Sequence, residues 1–255
     1  MRLDVASVLL QWATGGLLGL WVTQRHRMLG VGYGWLLRSV FGVLAIGAVA
    51  AGIADADHGT GATVRDAAAI GLVVATAVAL AVSVLLRREP ARIPVWIDLI
   101  APVLGFVALL GAADAVGGAY ALSAARLVVG AVFLGFVTDS MLIGHWYLVQ
   151  PGLSREPLRE IIRLSAWSWP FEVALLLVPP GMISVIDGSV EDGYGGLLGW
   201  TWVVSAATTI VLLVFADRAL NERAYSAVMS ATGLLYLAIL TAFGTDVLAR
   251  ALLAV

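Results

Sequence analysis

The run Asp139-Ser140-Met141-Leu142-Ile143-Gly144-His145-Trp146-Tyr147-Leu148-Val149-Gln150-Pro151-Gly152 gathers an acid, a hydroxyl, an imidazole and two polar-edged aromatic rings. All lie within about four turns of a single helix. An imidazole can ligate haem iron, carry a proton or donate a hydrogen bond to a quinone carbonyl. The reading that follows puts a quinone or a single haem b around His145, which is also the one candidate iron ligand of the run. Trp146, Tyr147 and the distant Tyr236 complete the expected cofactor-binding set. The plainer alternative makes His145 and Tyr147 interfacial anchors whose polar edges meet headgroups. A two-haem, bis-histidine cytochrome is disfavoured, because the histidines are His26, His58 and His145 and His58 is expected in an outer loop.

Three acids fall inside apolar segments: Asp98, Asp139 and Glu172. Placing an ionisable group at the centre of a membrane helix costs about 2.5–3.5 kcal/mol on insertion scales, so each asks for a reason. Proton transfer is the functional one; satisfaction by a neighbouring Arg, Ser or Trp edge is the plain one. Asp139 and His145, six residues apart, point about 120° from one another, which argues against direct contact. The predicted span directions put Asp98, Asp139, Glu172 and His145 at one depth in the cytoplasmic half, as a shared polar pocket would require.

The elements that must position these groups are membrane helices. The 255 residues are 61% hydrophobic and 13% charged, with a mean hydropathy of +0.97, whereas about a quarter of residues are charged in soluble proteins. Lipid offers the backbone no hydrogen-bond partner, and the apolar runs are near 20 residues long without alternation, so they read as helices rather than barrel strands. Spans are predicted at 4–23, 36–53, 67–86, 95–113, 123–148, 165–187, 197–216 and 225–248. The fold class is thus an all-α integral membrane protein of about eight helices, in one polytopic domain over 1–255.

The arginines sort by connection. Arg25 and Arg27 fall between spans one and two with Arg38 at the start of span two, Arg87, Arg88 and Arg92 between three and four, Arg155, Arg159 and Arg163 after span five, and Arg218 and Arg223 after span seven. The positive-inside bias then sets those connections in the cytoplasm and both termini outside, in a bacterial-type inner membrane. Trp21, Trp35, Trp96, Trp146, Trp167 and Trp169 are expected at the cytoplasmic ends, Trp200 and Trp202 at the outer side. Met1-Arg2-Leu3-Asp4 lacks the basic cluster of a cleaved leader, so the first span is expected to stay in the mature chain.

Span six is interrupted by Pro170 and by Pro179-Pro180-Gly181, and broken helices often line binding sites. Ahead of it, residues 154–163 read as a separate amphipathic helix on the cytoplasmic surface, anchoring to anionic lipid or docking a partner. Ser226, Ser230 and Gly233 form a small-residue stripe that predicts close helix packing in span eight, where the hydroxyl of Tyr236 needs an internal partner. Gly30-Val31-Gly32-Tyr33-Gly34 reads as a turn-forming connection. Gly19-Leu20-Trp21 and Arg38 match Gly144-His145-Trp146 and Arg163 at one offset, which suggests two four-helix units, 1–120 and 121–255, in parallel pseudo-repeat.

Cysteine and lysine are both absent, which excludes disulfides, thiolate metal sites and Schiff-base cofactors. The net charge of −2 gives no reason to expect nucleic acid. There is no Walker loop, dinucleotide fingerprint, zinc-protease motif or nucleophile elbow. A four-plus-four plan resembles, in helix count alone, the quinol-handling membrane anchors of molybdoenzyme complexes. The first functional expectation is therefore a membrane subunit of a redox or respiratory-type complex, involved in electron transport. The others are a proton-coupled secondary transporter or permease and a non-catalytic assembly subunit. The partners expected are the lipid bilayer with other membrane or cytoplasmic subunits, or further copies of the chain.

Overall fold

A computed structural model describes residues 4–55, 59–116, 119–179 and 181–253. Every regular element among them is helical. The helices are α1 (Val5–Gln24), α2 (Val31–Ala54), α3 (Thr60–Leu85), α4 (Ile97–Val116), α5 (Tyr120–Val149), α6 (Glu156–Leu177), the short α7 (Met182–Ile186), α8 (Leu197–Ala219) and α9 (Tyr225–Leu253), with a 3₁₀ turn at Pro90–Arg92. Seven of them, α1 to α5, α8 and α9, are long and apolar enough to cross a membrane. The chain is thus a multi-pass, all-α membrane protein by length and composition.

Local chemistry accounts for several ends. Asp4 caps α1, its Oδ1 accepting from the Ser7 amide at 2.7 Å. The Gly30-to-Gly34 stretch is not a loop: Gly30 is the N-cap of α2, and residues 31 to 34 form its first turn. The largest departure from the predicted boundaries is in α6. It starts at Glu156, takes Pro157 in its first turn where a missing amide costs nothing, and ends before Pro179. The amphipathic stretch and span six are therefore one helix rather than two, and the predicted continuation to residue 187 is replaced by the separate α7.

The helices close into two rings. α1 to α4 pack each on the next with α4 returning to α1; α5, α6, α8 and α9 do the same, with α9 returning to α5. α1 and α5 join the rings and run parallel. A Cβ at Gly15 would stand 1.7 Å from the Ala131 carbonyl oxygen, and one at Gly135 2.0 Å from the Gly15 carbonyl carbon. The backbones touch there, which only glycine allows. α6 runs antiparallel beside α5 along its length: Ser154 meets Tyr147, Ser165 Oγ lies 3.1 Å from Ser140 Oγ, and Arg126 reaches the carbonyls of Leu175 and Val178. The small-residue stripe of α9 does not pack as expected. Ser226, Ser230 and Gly233 are exposed, and a Cβ at Gly233 would meet nothing within 4 Å.

Two ends of the bundle differ in charge. The basic end carries the α1–α2, α3–α4, α5–α6 and α8–α9 connections, and the opposite end carries the others.

Candidate functional site

Asp139 lies on the face of α5 that meets α1 and is completely buried. Glycine makes the room: a Cβ at Gly19 of α1 would stand 2.2 Å from Asp139 Oδ2. Neither carboxyl oxygen has a hydrogen-bond partner among the described residues. Tyr33, in the first turn of α2, is also fully buried, with its hydroxyl unpartnered, and it is near enough to Asp139 for the two to act on each other electrostatically. Thr23 stands beside it and turns its own hydroxyl back to the Gly19 and Leu20 carbonyls. The edge of Trp146 covers Tyr33, with ring centroids 5.8 Å apart.

Asp98 has a different setting. In the first turn of α4 it holds Arg38 of α2 in a fork, Nε to Oδ1 at 2.8 Å and Nη2 to Oδ2 at 2.7 Å, both side chains buried. This is the satisfied-acid alternative, realised by an arginine. The pair forms part of the wall of a cavity of about 380 Å³ at the basic end, between the α1–α2 and α3–α4 connections. Arg27, at a positive φ of 55°, ties the two connections together over it, donating to the Ala91 and Ile93 carbonyls at 2.8 and 3.0 Å. Gln24 lines the cavity and is the neighbour in sequence of Thr23; Gly34 packs on Arg38 and Gln24 and is the neighbour of Tyr33. The cavity and the Asp139 cluster thus share the corner between the end of α1 and the start of α2.

Glu172 falls at the opposite end. Because α6 begins at residue 156, Glu172 sits about 24 Å up the helix at 1.5 Å per residue, and not about two turns inside the basic end as a start at residue 165 would place it. It is completely buried. Its electrostatic neighbours are Asp246, Arg250 and Arg126. Arg250 grips Asp246 through Nε and Nη2 at 3.1 and 2.9 Å from Oδ1. Gly130 makes room for this group on α5, since a Cβ there would stand 2.7 Å from Gln11 Nε2 and 2.8 Å from Asp246 Oδ1. Gln11 in turn donates to the Leu127 carbonyl at 2.9 Å.

The predicted shared pocket is therefore divided. Asp98, Asp139 and Glu172 occupy three separate settings, and His145 lies in none of them. His145 is exposed on the outward face of α5, its Nδ1 3.2 Å from the hydroxyl of Tyr236 on α9. Tyr236 is itself 44% exposed, so its partner is a surface group instead of an internal one. Trp146 donates to Gln150 at 3.2 Å, and Tyr147, buried, donates to the Ser154 carbonyl. His145 and Tyr236 thus meet on the outward face, while Trp146 turns to Tyr33 and Tyr147 to Ser154. His26 is at the basic end against Arg25 and Glu160, and His58 lies outside the described residues. No cluster of three or more metal-ligating side chains occurs among the described residues.

Two tryptophans also depart from the expected belts. Trp169 is well inside α6, donating to the Ala206 carbonyl at 2.9 Å, and Trp202 is buried, donating to the Thr245 carbonyl at 2.8 Å.

The residues that sequence reading passed over are three arginines of the opposite end, Arg65, Arg126 and Arg250, all buried. Arg65 meets Asp66 at 2.8 Å and the Gly52 carbonyl at 3.1 Å. The available signal was that none of the three fits a basic connection. An arginine misplaced by the positive-inside pattern is one that must find an internal acid or carbonyl. No family model, curated protein or solved structure matches the chain.

Proposed function

We propose that this chain is a proton-coupled membrane transporter in which Asp139 takes up and releases the coupling proton. The observation that carries the reading is that Asp139 is wholly buried with neither oxygen hydrogen-bonded. A carboxyl so placed is expensive, and packing gives no return for it. Beside it stand the hydroxyls of Tyr33 and Thr23, leading toward a cavity at the basic end. A second buried ionic group around Glu172 lies near the broken junction of α6 and α7. This reading takes α6 as an eighth span, the basic connections as cytoplasmic and both ends as outer, in a bacterial-type cell membrane. The two rings are then parallel pseudo-repeats, joined where α1 meets α5.

Solid-supported-membrane recordings on proteoliposomes test it, using a library of small organic acids, amines and sugars. A solute-evoked current that reverses with the pH gradient and vanishes in Asp139→Asn is the expected result. Wild-type protein that moves no protons with any solute overturns it.

A quinone-handling redox subunit is the second reading, favoured by one observation. The His145–Tyr236 pair offers two hydrogen-bonding groups on the outward face, where a carbonyl dissolved in lipid would meet them. Co-extracted quinone that is lost in His145→Phe would favour it over transport.

A further inference from the structure

The cavity at the basic end has the composition of a binding site for one negative charge on an apolar body. Its charged lining is Arg27, Arg38 and Asp98, two cations against one anion. Arg38 gives Nε and Nη2 to Asp98. Its Nη1 carries two further hydrogens and donates to Ser83 Oγ at 3.4 Å, a long contact that a better acceptor would replace. The carboxamide of Gln24, close to that Nη1 across Gly34, makes no hydrogen bond among the described residues. The remaining wall is Leu29, Val31, Ile93 and Val95 with Pro90 and Pro94. At about 380 Å³ the cavity is at the small end of ligand sites. The two connections beside it also carry Arg87 and Arg88, while Arg25 is paired with Glu160 and Arg92 with Glu89, which leaves a net positive surround that favours anions.

We infer that this cavity binds the head of an aliphatic monocarboxylate, with the carboxylate on Arg38 Nη1 and Gln24 and the adjoining hydrocarbon against Val31 and Ile93. A dianionic phosphate would leave one charge unmatched, and an amine would face two guanidinium groups. The inference rests on the transport reading, for which it names the substrate class, and it places the carboxylate next to the corner that leads to Asp139. A free short-chain acid and a fatty acid drawn from the bilayer present the same chemistry.

Isothermal titration of the purified full-length protein tests this without any gradient. The probes are butyrate, hexanoate and octanoate, the matched amines and amides, and palmitate in nanodiscs. Saturable binding of the acids, absent for amines and amides, is expected, with affinity lowered at least tenfold by Val31→Phe, which fills the cavity. Gln24→Leu, which leaves the Arg38–Asp98 pair intact, is expected to weaken binding in the same direction. Binding confined to palmitate and sensitive to both variants supports the site with the membrane as its source. Equal heats from acid and amine, or acid binding unchanged in both variants, overturn it. Binding without flux would remove the transport reading alone; flux of a monocarboxylate with unchanged binding in both variants would remove this inference alone.

Discussion

Gly19 on α1 leaves the space that the carboxyl group of Asp139 on α5 fills, a Cβ at Gly19 falling 2.2 Å from Oδ2. Gly19→Ala should therefore force the buried acid aside, at a cost of about 1–3 kcal/mol, typical of overpacking. Adding Asp139→Ala should recover most of that loss, because the two changes act on one volume. Thermal unfolding of the single and double variants in detergent measures the coupling, and strictly additive effects would show that the two positions are independent.

The contact between α1 and α5 sets a second expectation. Gly135→Ala drives a methyl group into the Gly15 backbone, where no side chain can yield. Its cost should reach the upper end of the overpacking range, about 3 kcal/mol. Gly233→Ala, open on all sides, should leave stability unchanged or raise it by up to about 1 kcal/mol through helix propensity. Melting temperatures of the two variants, compared in one detergent, decide the matter.

Breaking the Arg38–Asp98 pair should be severe. Asp98→Ala leaves a buried guanidinium without its counter-charge, a loss of about 3–5 kcal/mol for such pairs. The paired replacement Arg38→Met with Asp98→Leu should regain most of it, since neither charge is then left alone. Chemical denaturation of the three proteins would show the pattern; a double variant no better than Asp98→Ala would refute it.

Asp192, in the connection ahead of α8, accepts backbone amides from Tyr194 and Gly196 on Oδ1, both at 2.9 Å, and from Leu198 on Oδ2 at 2.8 Å. Those bonds, from Gly196 and Tyr194 first, hold its carboxyl below the ordinary aspartate value of 3.8. The folded value is depressed, so the contribution is present above the unfolded value and is lost as pH falls through the folded one. Carbon-13 titration of the carboxyl should show a midpoint under 3.8. Loosening of the Leu198 amide should follow protonation, and Asn at 192 should remove the pH dependence of that amide.

What the sequence makes legible follows from lipid as solvent. Runs of apolar residues and arginines gathered in alternate connections suffice to read an all-helical membrane chain. Side-chain depth along α6 was not legible. The first turns of that helix carry Glu156, Arg159, Glu160 and Arg163, which look like an interfacial segment until Arg25, Asp217 and Asn221 are seen to meet them. A shift of nine residues in the start of one helix moves Glu172 from one end of the bundle to the other. Convergence was equally hidden, because facing directions depend on which helices touch. The face of α5 that carries Asp139 turns inward against Gly19, while the face that carries His145 turns outward against Tyr236.

The two buried acidic groups stand at different heights on the shared helix α5, Gly130 marking the Glu172 group and Asp139 the other. Nine residues of helix separate them by about 14 Å, nearly half of a hydrocarbon layer about 30 Å thick. Any unit charge that passes between them crosses a corresponding share of the transmembrane voltage, worth about 1 kcal/mol for each 100 mV. Under the transport proposal, a proton exchanged between the two levels would therefore move electrogenically, and its equilibrium would tilt with membrane potential as well as with concentration.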